Sequence, residues 1–134
     1  MKVIVTIERG TDGTYIAHFS NNRMPFGLSG DSKQTVREAI EDFYAAHEDM
    51  KDYYKEAGKE FPSVEYEFKY DMPSFLQYYA YAFTLAGLSR ITGVNQHQLS
   101  HYINGIRRPS ERTVRKIEER IHEFGHEISS VSFI

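Results

Sequence analysis

A chain of 134 residues is long enough for one domain or two small ones, and its hydrophobic fraction of 40%, with ten Tyr and nine Phe, excludes a disordered chain. No run of about 18 apolar residues occurs, which excludes a membrane-spanning helix, and the absence of cysteine excludes a disulfide framework and thiolate chemistry. The opening MKVIVTIERG has no apolar stretch of the kind a signal peptide needs, so a cytoplasmic protein without a membrane partner is expected.

The net charge of −3 argues against a general nucleic-acid binder, but its distribution is uneven. Residues 1–70 carry 9 Lys plus Arg against 13 Asp plus Glu, whereas residues 71–134 carry 7 against 6. Between 84 and 116 there are six basic residues, Arg90, Arg107, Arg108, Arg112, Arg115 and Lys116, and a single acid, Glu111. An acidic half joined to a basic patch implies two jobs.

In chain order, residues 2–8 alternate, with Val3, Val5 and Ile7 on one face, and predict a strand. Gly10 to Gly13 is a turn signal, and Tyr15, Ala17 and Phe19 continue as the second strand of a hairpin. Phe26 to Ser29 supplies a short third strand. Asp31-Ser-Lys-Gln34 has the pattern of a capping box. From there Val36, Ala39, Ile40, Phe43, Tyr44, His47, Met50 and Tyr54 recur at three- and four-residue steps, one apolar stripe on a long helix closed by Gly58. Val64, Tyr66, Phe68 and Tyr70 then alternate with Glu65, Glu67 and Lys69 as a further strand. The order βββαβ predicts a small sheet backed by one helix.

The Lys2–Glu8 run, the turn Asp12-Gly-Thr-Tyr15, Gly30-Asp-Ser32 leading into a helix with Ala39, and Gly58-Lys-Glu-Phe-Pro62 together resemble the HicB antitoxins. That resemblance implies a partial ribonuclease-H-like domain over residues 1–71 that binds and silences HicA, an RNA-cleaving toxin. Many members of that family carry a DNA-binding domain behind it. Where the family has a Pro-Gly-rich segment after the second strand, this chain has Asn21-Asn-Arg-Met-Pro-Phe-Gly27. A nuclease would need carboxylates converging on metal ions about 4 Å apart. Asp12 and Asp31 fall in turns and Glu65 and Glu67 on one strand face, so they read as solvated residues. No catalytic residue and no enzymatic activity is expected.

Asp71-Met-Pro-Ser74 breaks the last strand and starts a short helix, Phe75 to Tyr79. Thr84 caps a second helix, Leu85 to Thr92, and Gly93 supplies a sharp turn. Asn95 caps a third helix through Ile103, ended by Asn104-Gly105, and Ser110 caps a fourth containing Val114, Ile117, Ile121 and Phe124. Leu88, Val94, Leu99 and Tyr102 fall at the spacing of a helix-turn-helix core, in which two short helices cross around a tight joint. The stretch Thr84–Pro109 resembles the phage-repressor (Cro/C1, or XRE) class, with two departures: Ser89 for the usual Ala, and Thr92 where an apolar residue is usual.

In that arrangement the third helix enters the major groove with its N-terminal residues at the base edges. The resemblance puts Gln96, His97 and His101 at base-reading positions. Gln can pair with adenine, and imidazole can donate to guanine. Ser100 reaches a base or phosphate, and Arg107 and Arg108 follow in a loop suited to phosphate. With Thr84 these form the expected DNA-binding set, and Arg112 and Arg115 are outer candidates or a solvated face paired with Glu111, Glu118 or Glu119. The pairs His97/His101 and His122/His126 have metal-ligand spacing, but no cysteine or third ligand accompanies them, so neither a metal nor another cofactor is expected. Glu127 to Ile134 alternates and predicts a terminal strand, paired within the chain or with a second copy.

The sequence thus implies an α+β protein: a βββαβ domain over 1–71 and an all-helical DNA-binding domain over 72–134 with a possible terminal strand. Its expected partners are double-stranded operator DNA, a HicA-like toxin and further copies of itself. The alternative is a stand-alone transcription regulator whose N-terminal half dimerises or senses a ligand.

Overall fold

Alternation along β1 (Lys2–Arg9) carries Val3, Val5 and Ile7 to one face, and all three are buried. In the computed structural model, which describes residues 1–19 and 23–134, the turn after β1 leads into β2 (Tyr15–Phe19). Gly13 takes φ +83° there, a conformation that favours glycine. Asp12 Oδ1 accepts the Thr14 amide at 3.0 Å, and that bond holds the Asp12 carboxyl below the usual carboxylate range.

The third strand lies three residues later than expected: β3 is Ser29–Ser32, not Phe26–Ser29. It pairs antiparallel with β2, Gly30 opposite Ala17. Phe26 packs instead against Tyr54 and Phe61, ring centroids 5.6 Å away in each case. Asn21 and Asn22 of the Asn21–Gly27 segment lie outside the described residues.

Asp31 sits in this strand opposite Ile16, so it does not cap the following helix. The cap of α1 (Val36–Glu56) is Thr35, whose hydroxyl accepts the Glu38 amide at 3.1 Å. Ser32 Oγ accepts the amides of Gln34 and Thr35 and donates to Glu38 Oε2. At its far end α1 closes on Gly58 (φ +68°), where the Lys59 amide reaches back to Tyr54 O at 2.9 Å.

β4 (Glu65–Tyr70) returns beside β1, parallel to it, giving the strand order β3-β2-β1-β4. Val36, Ala39 and Phe43 of α1 are buried. Phe43 stands edge-on to Tyr66 and Phe68, centroids 4.9 and 5.6 Å away. His47 Nδ1 is 2.8 Å from the Tyr66 hydroxyl, and burial, helped by Tyr44, pushes the Tyr66 phenol up to about 12.

The chain divides into two compact units, Met1–Ser74 and Phe75–Ile134. Helix α2 (Met72–Tyr78) begins three residues before the expected Phe75, and Asp71 Oδ2 holds its first turn by accepting the Ser74 hydroxyl at 2.8 Å. A 3-10 turn (Tyr79–Tyr81) follows, then α3 (Leu85–Thr92), α4 (Gln96–Ile103) and α5 (Glu111–Ser129). The expected terminal strand is absent: α5 continues through Gly125 to Ser129, and residues 131–134 have no regular structure. A helix satisfies its own amides and carbonyls, whereas a strand needs a neighbour, and among the described residues none pairs with this segment. No helix among the described residues is long and apolar enough to cross a membrane.

Candidate nucleic-acid interface

Three capped helices build the site, and each cap is a short polar side chain at a boundary. Thr84 Oγ1 accepts the Gly87 amide at 2.9 Å, Asn95 Oδ1 that of Gln98 at 2.8 Å, and Ser110 Oγ that of Thr113 at 3.2 Å. Between α3 and α4 the chain turns at Gly93, the left-handed C-cap of α3 with φ +73°. Leu88, Val94, Leu99, Tyr102 and Ile117 are buried. The four residues expected in the core are therefore all inside.

Thr92 is also fully buried, where the repressor class usually has an apolar residue. Its hydroxyl is matched on both sides. It donates to Leu88 O at 2.7 Å and accepts the Val94 amide at 3.2 Å. The side chain thus fastens the last turn of α3 to the first residue after the bend, and the departure from the usual pattern carries no unpaired polar group.

Gln96 and His97 occupy the exposed first turn of α4, and Ser100 and His101 lie half-buried one turn on. An α-helix with its side chains is about 10–12 Å across, which matches the width of a major groove. The rings of His97 and His101 lie 4.2 Å apart between centroids, at 55°. Ser100 Oγ accepts the side-chain amide of Asn104 at 3.2 Å.

The end of α4 fixes the course of the arginine loop. Gly105 takes φ +71°, its amide bonds Tyr102 O at 3.2 Å, and the next amide, Ile106, bonds His101 O at 2.9 Å. This pair of bonds is the Schellman arrangement, which turns the chain sharply back on its own helix. The Arg107 amide also reaches His101 O, at 3.3 Å, so the loop begins on the turn that carries His101. Arg107 and Arg108 are exposed, as are Arg112 and Arg115 on α5 and the cap Thr84. Among the described residues none of the four arginines forms an ion pair, so the pairing with Glu111, Glu118 or Glu119 does not occur. His97 and His101 have no third metal-ligating neighbour among the described residues.

One contributor has no signal in the sequence. Gln77 of α2 donates its side-chain amide to Ile103 O, the last carbonyl of α4, at 2.6 Å. Its partner is a main-chain atom 26 positions away, which no local spacing could reveal.

A short helix, a left-handed turn, a second helix with an open polar face and unpaired arginines just beyond it can lie in a groove and hold phosphates at its edge. Searches of curated proteins and of solved structures return no match to this chain. Residues 82–122 match the helix-turn-helix family model, and the resemblance drawn from Thr84–Pro109 falls wholly inside that span. The C-terminal unit therefore contains a helix-turn-helix domain, of the class that binds double-stranded DNA sequence-specifically and regulates transcription.

Proposed function

We propose that this protein is a HicB-like antitoxin, whose residues 1–71 neutralise a HicA-like RNA-cleaving toxin and whose residues 72–134 repress its own operon as a homodimer on operator DNA. The observation that carries the DNA half is the exposed first turn of α4, followed by exposed arginines that form no ion pair among the described residues. On this reading Gln96, His97 and His101 meet base edges, Ser100 a base or phosphate, and Thr84, Arg107 and Arg108 the phosphate backbone. The toxin half is supported by the HicB-like motifs at 2–8, 12–15, 30–39 and 58–62. The acidic balance of residues 1–70 suits a basic partner. The protein acts by binding and has no catalytic role.

Two experiments test the halves separately. Co-expression with the product of the adjacent small reading frame should protect cells and yield a complex that purifies intact. Neither outcome appearing removes the antitoxin assignment and leaves a stand-alone regulator whose N-terminal unit dimerises or senses a ligand. On the DNA side, Gln96→Ala should relax base preference at one position, whereas Arg107→Ala should weaken binding to all sequences and flatten its salt dependence. Footprints unchanged in both variants would refute the assignment of α4.

A further inference from the structure

Two imidazoles in contact on a base-reading helix have a consequence for what that helix can read. His97 and His101 stand on successive turns of α4 with ring centroids 4.2 Å apart. Neither has a carboxylate partner among the described residues. Along the chain from 84 to 116 the charged residues are cationic except for Glu111. Helix α3 contributes Arg90, the loop after α4 contributes Arg107 and Arg108, and the first turns of α5 contribute Arg112, Arg115 and Lys116. Lys116 Nζ lies 3.5 Å from where a Cβ on Gly93 would stand. Between Asp71 and Glu111 there is no acidic residue, and the α2 segment offers only the phenols of Tyr78, Tyr79 and Tyr81.

A neutral imidazole has one N–H donor, whereas an imidazolium has two. Two charged rings in contact would repel each other. A DNA groove supplies negative potential, and guanine presents two acceptors, N7 and O6, on its major-groove edge. Resting on the reading of α4 as the groove-facing helix, we infer that His97 and His101 act as one proton-linked reader of guanine: binding takes up a single proton into the pair, and the charged ring donates to the guanine edge. The contact between the rings limits the uptake to one proton. The unit therefore sets base preference and makes DNA binding tighten as pH falls.

The test uses the full chain and a duplex recovered by it from a randomised 20-base-pair library. Dissociation constants are measured from pH 8 to pH 6 at fixed salt. One proton of linkage appears as affinity rising up to about tenfold per pH unit. His97→Gln/His101→Gln, both at exposed or half-exposed positions, should bind with affinity nearly independent of pH, while His122→Gln/His126→Gln on α5 should keep the full slope. Replacing the contacted guanine by 7-deazaguanine should flatten the profile of the wild-type chain. A wild-type slope near zero or near two protons overturns the proposal, as does a slope that survives the double substitution or the modified base. Recovery of no duplex at any pH overturns the reading of α4 and this proposal with it. A bound but pH-independent duplex leaves that reading standing and removes only the proton linkage.

Discussion

Gly30 of β3 lies so close to α1 that a Cβ built on it would stand 2.1 Å from the Phe43 nitrogen and 2.4 Å from Ala39 O. Both neighbours are helix backbone and cannot rotate away. Glycine here sets how closely the helix approaches the sheet, and with that the burial of Phe43. Gly30→Ala should destabilise the N-terminal unit by about 3 kcal/mol or more, since the helix must lift from the strand. Urea unfolding followed through tyrosine fluorescence measures this, and a loss below about 1 kcal/mol would contradict the close approach.

Thr92 gives a prediction against the trend of its structural class. Thr92→Val introduces the more usual apolar side chain in nearly the same volume. It also leaves the Val94 amide without its acceptor in a buried turn. A buried amide left unpaired costs about 1–3 kcal/mol, more than the added methyl contributes. The variant should unfold at lower denaturant than the wild type, and equal or greater stability would show that the hydroxyl does not hold the turn.

The bond from Gln77 to Ile103 O makes α2 part of the support for α4, although α2 lies outside the matched span 82–122. Gln77→Glu keeps the shape and removes the donor, placing a carboxylate against a carbonyl. The C-terminal unit should lose about 1–2 kcal/mol, and amides in the last turn of α4 should exchange faster with solvent. Unchanged exchange at Ile103 to Ile106 would count against the tether.

Alkaline pH should act on the N-terminal unit through Tyr66. Burial raises its phenol from 10.0 to about 12, so the unfolded chain loses that proton before the folded one. The stability this contributes is whole below pH 10 and is lost as pH rises from 10 through 12. Tyr66→Phe removes the linkage together with the hydrogen bond to His47. The two proteins should therefore differ by a constant amount below pH 10, and above it the wild type should weaken faster. Parallel curves from pH 9 to pH 12 would contradict a perturbed Tyr66.

Features whose causes lie within a few residues were legible from the chain alone. Thr84, Asn95 and Ser110 cap where expected because a cap bonds an amide three positions on. Gly58, Gly93 and Gly105 end or turn helices because each adopts a left-handed backbone that other side chains resist. The buried quartet Leu88, Val94, Leu99 and Tyr102 followed from helical spacing. What the tertiary structure decided depends on partners far away in sequence. Phe26 and Ser29–Gly30 are equally extended on paper, and it is the fit of a residue without a side chain against Ala39 and Phe43 that selects Gly30 for the strand. Glu65–Tyr70 is plainly a strand, but only its pairing with Lys2–Ile7 makes it parallel to β1. Likewise 127–134 alternates like a strand, yet with no neighbouring strand among the described residues its first part joins α5, because a helix bonds to itself.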